Sequence, residues 1–158
     1  GLRYGQGNWP GLIATRLAGE WLFPVCAPAY RQTLTLNEPA DLGRAVLLRH
    51  ARQLWAPWFA ATGISLAEPR DTPLYEDAGL LLEAAAGGEG VALARGLLAA
   101  RDLASGRLVA PFAERIADRS AYYLVRPAAP HRANAHADRL AQWIRATLRQ
   151  DAPENLLD

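Results

Sequence analysis

The chain has 158 residues, 51% of them apolar, and a formal net charge of +1, enough to bury a core in one domain or two small lobes. All seventeen basic residues are arginine and they are spread from Arg3 to Arg149, so no nucleic-acid footprint stands out, and without lysine there is neither a G-x-x-x-x-G-K-[ST] phosphate loop nor a Schiff-base lysine. No run approaches the roughly 20 apolar residues of a membrane-spanning helix, and the single Cys26 rules out an internal disulfide, as suits a reducing cytoplasm.

The opening residues lack a signal-peptide pattern. Residue 1 is glycine and the chain contains no methionine, so it is expected to begin inside a domain whose earlier elements lie upstream. Leu2 to Tyr4 reads as a strand running into a loop at Gly5, Gly7 and Trp9-Pro10-Gly11. Leu22 to Ala27 is a second apolar run. Pro24 cannot donate to a ladder, which predicts an edge or a crossing between lobes rather than a central strand.

Pro39 to Leu42 predicts a helical turn, and Ala45 to Leu48 a strand ending at His50. Trp55, Trp58 and Phe59, spaced by three and four, predict a short amphipathic helix stopped by Gly63. A strand is expected at Leu74 and Tyr75. Asp77 can cap a helix through Leu80 to Ala86, ended by Gly87 and Gly88.

Val91 to Ala94 then reads as a buried strand, Gly96 to Ala104 as a helix closed by Ser105-Gly106, and Tyr122 to Val125 as a strand. The last helix, about Ala133 to Arg149, places Ala137, Leu140, Ala141, Ile144 and Leu148 on one face. Alternating strands and helices predict an α/β fold with a mostly parallel sheet.

Several motifs resemble chemistry without the order it requires. Gly87-Gly88-Glu89-Gly90 follows a helix and precedes a strand, the reverse of a dinucleotide loop, so it reads as a tight turn. Gly5-x-Gly7 follows a strand, but Pro10 stands where a third glycine would be needed; a loop lining a cleft and a plain loop both fit. Cys26 has no neighbouring charge to activate it and reads as a buried, inert thiol. His131 and His136 are five apart, about 140° round a helix, so they cannot share a metal as an i, i+4 pair would. No metal, cofactor or catalytic set is expected.

Two strand-to-helix junctions are better candidates. His50-Ala51-Arg52-Gln53-Leu54-Trp55 puts polar side chains at a strand end before a helix start, where helix N–H groups and Arg52 can meet an anion. A solvated loop with Trp55 in the core fits the same residues. Glu76-Asp77-Ala78 repeats the geometry, and Asp77 can equally be a plain N-cap.

The order of these pieces, Leu2-Arg-Tyr-Gly5, Trp9-Pro-Gly11, Leu22-Phe-Pro-Val-Cys26, Ala84 to Gly87 with Gly90-Val-Ala-Leu93, Leu103 to Phe112, Tyr122-Tyr-Leu-Val125 and a final helix with Trp143, resembles the effector-binding domain of LysR-type transcription regulators. The branch it resembles contains the glycine-cleavage activator and the β-lactamase regulators. The resemblance covers nearly the whole chain.

That resemblance implies an α/β fold of the type 2 periplasmic-binding-protein kind, with two lobes joined by two crossover strands and a small-molecule effector between them. Residues 1–21 and 128–158 would form an incomplete first lobe (RD-I) and residues 22–127 the second (RD-II). Leu22 to Ala27 and Tyr122 to Arg126 are expected side by side as antiparallel crossings. By position the ligand-binding residues would be Tyr4, Gln6, His50, Arg52, Gln53, Asp77, Ala78 and Tyr122, with Gln6, Arg52, Asp77 and Tyr122 bordering one polar cleft.

Asp77 and Ala78 stand where related sequences often carry serines, which points toward a ligand with an amine, since Asp77 would repel an anion. DNA contact is expected only through a helix-turn-helix upstream of this chain, with a homo-oligomer, dimer or tetramer, as the working state and no membrane. A transport-type solute-binding protein is the alternative on the same fold. An incomplete first lobe would also self-associate or hold its C-terminal helix loosely.

Overall fold

In the computed structural model, which describes residues 1–129 and 135–151, the chain runs through β1 (Leu2–Gly5), β2 (Leu12–Ala18), β3 (Trp21–Val25), α1 (Pro28–Leu34), a 3-10 turn (Pro39–Arg44), β4 (Leu47–His50), α2 (Ala56–Thr62) and β5 (Leu74–Tyr75). It continues through α3 (Ala78–Ala86), β6 (Val91–Arg95), α4 (Gly96–Ala104), β7 (Ile116–Ala117), β8 (Ala121–Pro127) and α5 (Ala135–Asp151). Two compact units result: Gly1–Glu20 with the chain from Ala117 onward, and Trp21–Ile116.

In the first unit β8 lies between β1 and β2, antiparallel to both. Tyr4 pairs with Tyr122 and Ile13 with Arg126. α5 packs against β2, with Ala141 buried while Leu140 and Trp143 are exposed. Gly7 turns the chain at φ +88°, and a Cβ there would stand 2.8 Å from the Tyr123 ring, so only glycine lets that loop close onto β8.

The second unit is built on strands in the order β5-β4-β6-β3-β7. β4 runs parallel to β5 and β6, while β3 is antiparallel to β6. The period-2 alternation of strand side chains sorts the core into two layers. Leu22, Leu47, Val91 and Leu93 join Trp55, Trp58 and Phe59 of the α2 side, and Phe23, Val25, Leu48, Ala92 and Ala94 join Leu81, Leu82, Ala85 and Ala99 of α3 and α4. Both faces of this sheet are covered, which is why β6 reads as an unbroken apolar run.

The turn from α3 into β6 shows why its glycines are there. Gly88 has φ +84°, and a Cβ on Gly90 would lie 2.4 Å from the carbonyl oxygen of Val46. That oxygen accepts from Val91 N–H at 2.8 Å, so Gly90 permits the backbone approach that starts the β4–β6 pairing.

Four expectations change. The sheets are mixed rather than mostly parallel, because the first unit is wholly antiparallel and β3 opposes β6. β3 is not an edge strand: it lies between β6 and β7 despite Pro24. Cys26 exchanges both backbone bonds with Val109, at 3.1 and 2.9 Å, and groups alternate sides along a strand, so Pro24 turns its nitrogen the same way, away from β6. The absent N–H therefore costs the β3–β6 ladder nothing.

The runs Leu22 to Ala27 and Tyr122 to Arg126 are not ladder neighbours, since β8 has both sides taken by β1 and β2 and β3 has β6 and β7. Finally, β2 and α1 were not foreseen. β2 lacks clean alternation of burial, and α1 has no side-chain N-cap, only Pro28 in its first turn. The expected start of the last helix at Ala133 and the position of His131 lie outside the described residues.

Candidate functional site

β4 ends at His50, which is buried. Its Nδ1 accepts from the backbone N–H of Arg52 at 3.2 Å, and the N–H of Gln53 returns to the His50 carbonyl at 3.2 Å. The Gln53 side-chain nitrogen donates to the carbonyl of Leu93 on β6. The turn after β4 is thus tied to both parallel strands.

Burial pushes the His50 pKa below its usual value, and the cations of Arg95 and Arg52 push it the same way, against a backbone hydrogen bond with Glu76 and the charge of Asp77. His50 is therefore a neutral imidazole at pH 7, with Nδ1 as acceptor. Arg52 itself is exposed.

At the next junction the Asp77 Oδ1 accepts from the N–H of Leu80 at 2.9 Å, an N-cap for α3. Ala78 opens that helix. His50, Gln53 and Ala78 line one hollow together with Arg95 and Leu98, over a floor that includes Leu81 and Leu93. The hollow holds about 10 Å³, the space of about one water, so an end group rather than a whole molecule fits it as it stands.

Arg95 and Leu98 were not singled out from the sequence. The signal was present, because Arg95 closes β6 and is the N-cap residue of α4, the same strand-to-helix geometry that marked His50 and Asp77. The anion contact expected at the α2 start is already used. The carboxylate of Glu68 accepts from the N–H groups of Trp55 at 3.1 Å and Ala56 at 2.7 Å, so the chain's own acid caps that helix.

The remaining candidates belong to the first unit. The Tyr4 and Tyr122 rings meet at 4.8 Å between centroids, and the Tyr4 hydroxyl donates to Asp118 Oδ2. Gln6 is exposed just beyond β1. Cys26 is buried, and burial lifts its thiol to about 11, with Arg31 only partly opposing. Among the described residues no cluster of His, Cys, Asp and Glu could hold a metal ion, and no helix is long and apolar enough to cross a membrane.

A family model described as the LysR substrate binding domain matches residues 1–150. The chain belongs to the LysR substrate-binding domain family. Among its relatives, the glycine cleavage system transcriptional activator of Escherichia coli K12 is 36% identical over 148 residues, covering 90% of this chain and 47% of that protein. The HTH-type transcriptional activator AmpR of Rhodobacter capsulatus is 36% identical over 127 residues, 80% of this chain and 43% of that protein.

The crystallographic effector domain of AmpR from Pseudomonas aeruginosa superposes with a TM-score of 0.80 at 31% identity, covering 96% of this chain and 72% of that one. This LysR substrate-binding domain thus has the mixed α/β, type 2 periplasmic-binding-protein-like fold, and its family is one of binding domains rather than enzymes. It spans about half the length of the curated relatives it matches.

Proposed function

We propose that this domain is the effector-sensing part of a bacterial, cytoplasmic LysR-type regulator, binding an amino acid or a small carboxylate-like molecule to control transcription. In that reading DNA is held by a helix-turn-helix in another part of the protein, which works as a homo-oligomer. The division into lobes at residues 22 and 127 belongs to the same proposal.

One observation carries it: the ends of β4 and β6 and the starts of α3 and α4 converge on a single hollow with His50, Gln53, Ala78 and Arg95 on its rim. Strand ends meeting helix starts is where open α/β sheets take ligands. Tyr4, Gln6 and Tyr122 are proposed as further ligand contacts, together with Arg52 and Asp77, the chain neighbours of Gln53 and Ala78. Relatives named as transcriptional activators favour the regulator over a transport-type binding protein.

The test is a thermal-shift screen of amino acids and small carboxylates on the full-length protein. A ligand at about 100 times its Kd stabilises the fold by roughly 2.7 kcal/mol, so a true effector raises Tm by several degrees, and Gln53→Ala and Tyr122→Ala weaken the rise. A protein that binds DNA but whose Tm no small molecule moves would overturn the reading.

A further inference from the structure

A second hollow lies in the unit Trp21–Ile116, along α1. It holds about 400 Å³ and is lined by Pro28, Arg31, Gln32, Thr35, Asn37 and Val109, a volume within the roughly 300–1,000 Å³ of small-molecule sites. The first four residues stand at i, i+3, i+4 and i+7, so they share one side of the helix. This hollow is separate from the one at His50. Leu22 on β3 pairs with Arg95, which lines the first hollow, while Cys26 just past β3 bridges to Val109, which lines the second. Four residue steps of extended chain, roughly 13 Å, part those two pairings.

Arg31 is the one formally charged residue of the six. Its arm is half-buried, and its Nε donates to the carbonyl oxygen of Leu36 at 3.3 Å, which steadies the guanidinium and leaves its two terminal nitrogens for another partner. Among the described residues no carboxylate forms an ion pair with Arg31. Asp41, on the adjoining turn, already accepts from the N–H groups of Asn37 and Glu38 and from Arg44. A planar guanidinium offers two parallel donors to a carboxylate, and a single cation matches a single negative charge. Gln32, Thr35 and Asn37 add two amides and a hydroxyl that both donate and accept, and Pro28 and Val109 add a small apolar wall.

Thr35 carries the argument further. Among the described residues it is the one non-glycine with a positive φ, 51°. A β-branched residue is disfavoured there, and glycine is the usual residue at such a helix end. The chain therefore keeps a hydroxyl on the lining of the hollow against the preference of its backbone, as happens where a residue is held for binding rather than for folding.

We propose that the hollow along α1 is a second small-molecule site and that it takes a hydroxylated organic monoanion of the sugar-acid class. The carboxylate pairs with the terminal nitrogens of Arg31, the hydroxyls bond Gln32, Thr35 and Asn37, and the carbon skeleton lies on Pro28 and Val109. This site goes beyond the effector reading and does not depend on it.

Calorimetry on the full-length protein tests it with gluconate and glucuronate as probes. Glucose supplies the hydroxyls without the charge, butyrate the charge without the hydroxyls, and glucosamine and inorganic phosphate the other charge states. At least one of the two acids is expected to bind wild type about tenfold or more tightly than every comparison compound. Arg31→Gln then loses about 10–100-fold in affinity and Thr35→Gly about 3–10-fold. Unliganded Thr35→Gly keeps or raises the wild-type Tm, because glycine accepts the left-handed φ. Gln53→Ala, at the other hollow, leaves the affinity within about twofold.

No binding by either acid overturns the site, whatever the effector screen returns. An affinity that Arg31→Gln leaves intact, or that Gln53→Ala removes, puts the acid elsewhere and overturns the assignment too. Preference for glucose, butyrate, glucosamine or phosphate overturns the ligand class. If Arg31→Gln does not fold, Thr35→Gly decides, since an unchanged affinity in that variant means that the hydroxyl has no part in binding and sinks the proposal.

Discussion

The side-chain nitrogen of Gln53 donates to the carbonyl oxygen of Leu93 at 2.5 Å, joining the turn after β4 to the middle of β6. Leu93 is buried, so removing the donor leaves a carbonyl in an apolar layer without this partner. Gln53→Ala should cost about 1–3 kcal/mol, read as a lower urea midpoint with an unchanged m-value. A midpoint equal to wild type would mean that water takes over the role.

Asp77 caps α3 through a single bond to Leu80 N–H. Asp77→Ala should destabilise the fold by about 0.5–2 kcal/mol, whereas Asp77→Asn keeps an acceptor at the same place and should lose much less. Paired denaturation curves distinguish the two. Equal losses would show that the carboxylate charge, and not the hydrogen bond, matters at this position.

His50 gives stability a pH dependence of definite sign. Its pKa in the folded chain lies below the ordinary histidine value of 6.5, chiefly through burial, so the unfolded chain binds the proton more tightly. This contribution is fully present above pH 6.5 and declines as pH falls from there through the folded value. Thermal melts between pH 8 and pH 5 should show the decline, and His50→Asn should flatten that part of the curve. A wild-type Tm that rises on acidification over this range would contradict the assignment.

Cys26 is buried, with a thiol at about 11. At pH 8 iodoacetamide should leave the native chain unmodified over hours and label it quickly in denaturant, because the thiolate and access to it are both scarce in the fold. Intact-mass measurement reads the difference. Rapid labelling of native protein would mean that β3 opens far more readily than its packing implies.

The elements that could be read from sequence are those whose evidence is local. Asp77 before an apolar run, Gly87-Gly88 after it and the bulky spacing of Trp55, Trp58 and Phe59 each place a helix to within a residue or two. β2 could not be read in this way, because its partners are more than a hundred residues away on β8, as in Leu12 with Pro127. The polarity of the hollow was hidden for a related reason. Asp77 and Arg95 both stand at strand-to-helix junctions, and only the folded chain shows that Asp77 caps a helix without lining the cavity at His50 while Arg95 lines it.

The α3-to-β6 turn has a consequence for which sequences this chain can accept. Three glycines stand almost together, yet they answer to different constraints. Gly90 has no room for a methyl beside the Val46 oxygen, and Gly88 has open space but a left-handed φ of +84°. Gly87 has φ −71° and meets only the oxygens of Ala84 and Glu83 at 3.4 Å. In a saturation library, position 90 should return glycine alone, position 88 glycine with some asparagine and aspartate, and position 87 a broad spectrum with alanine among the survivors.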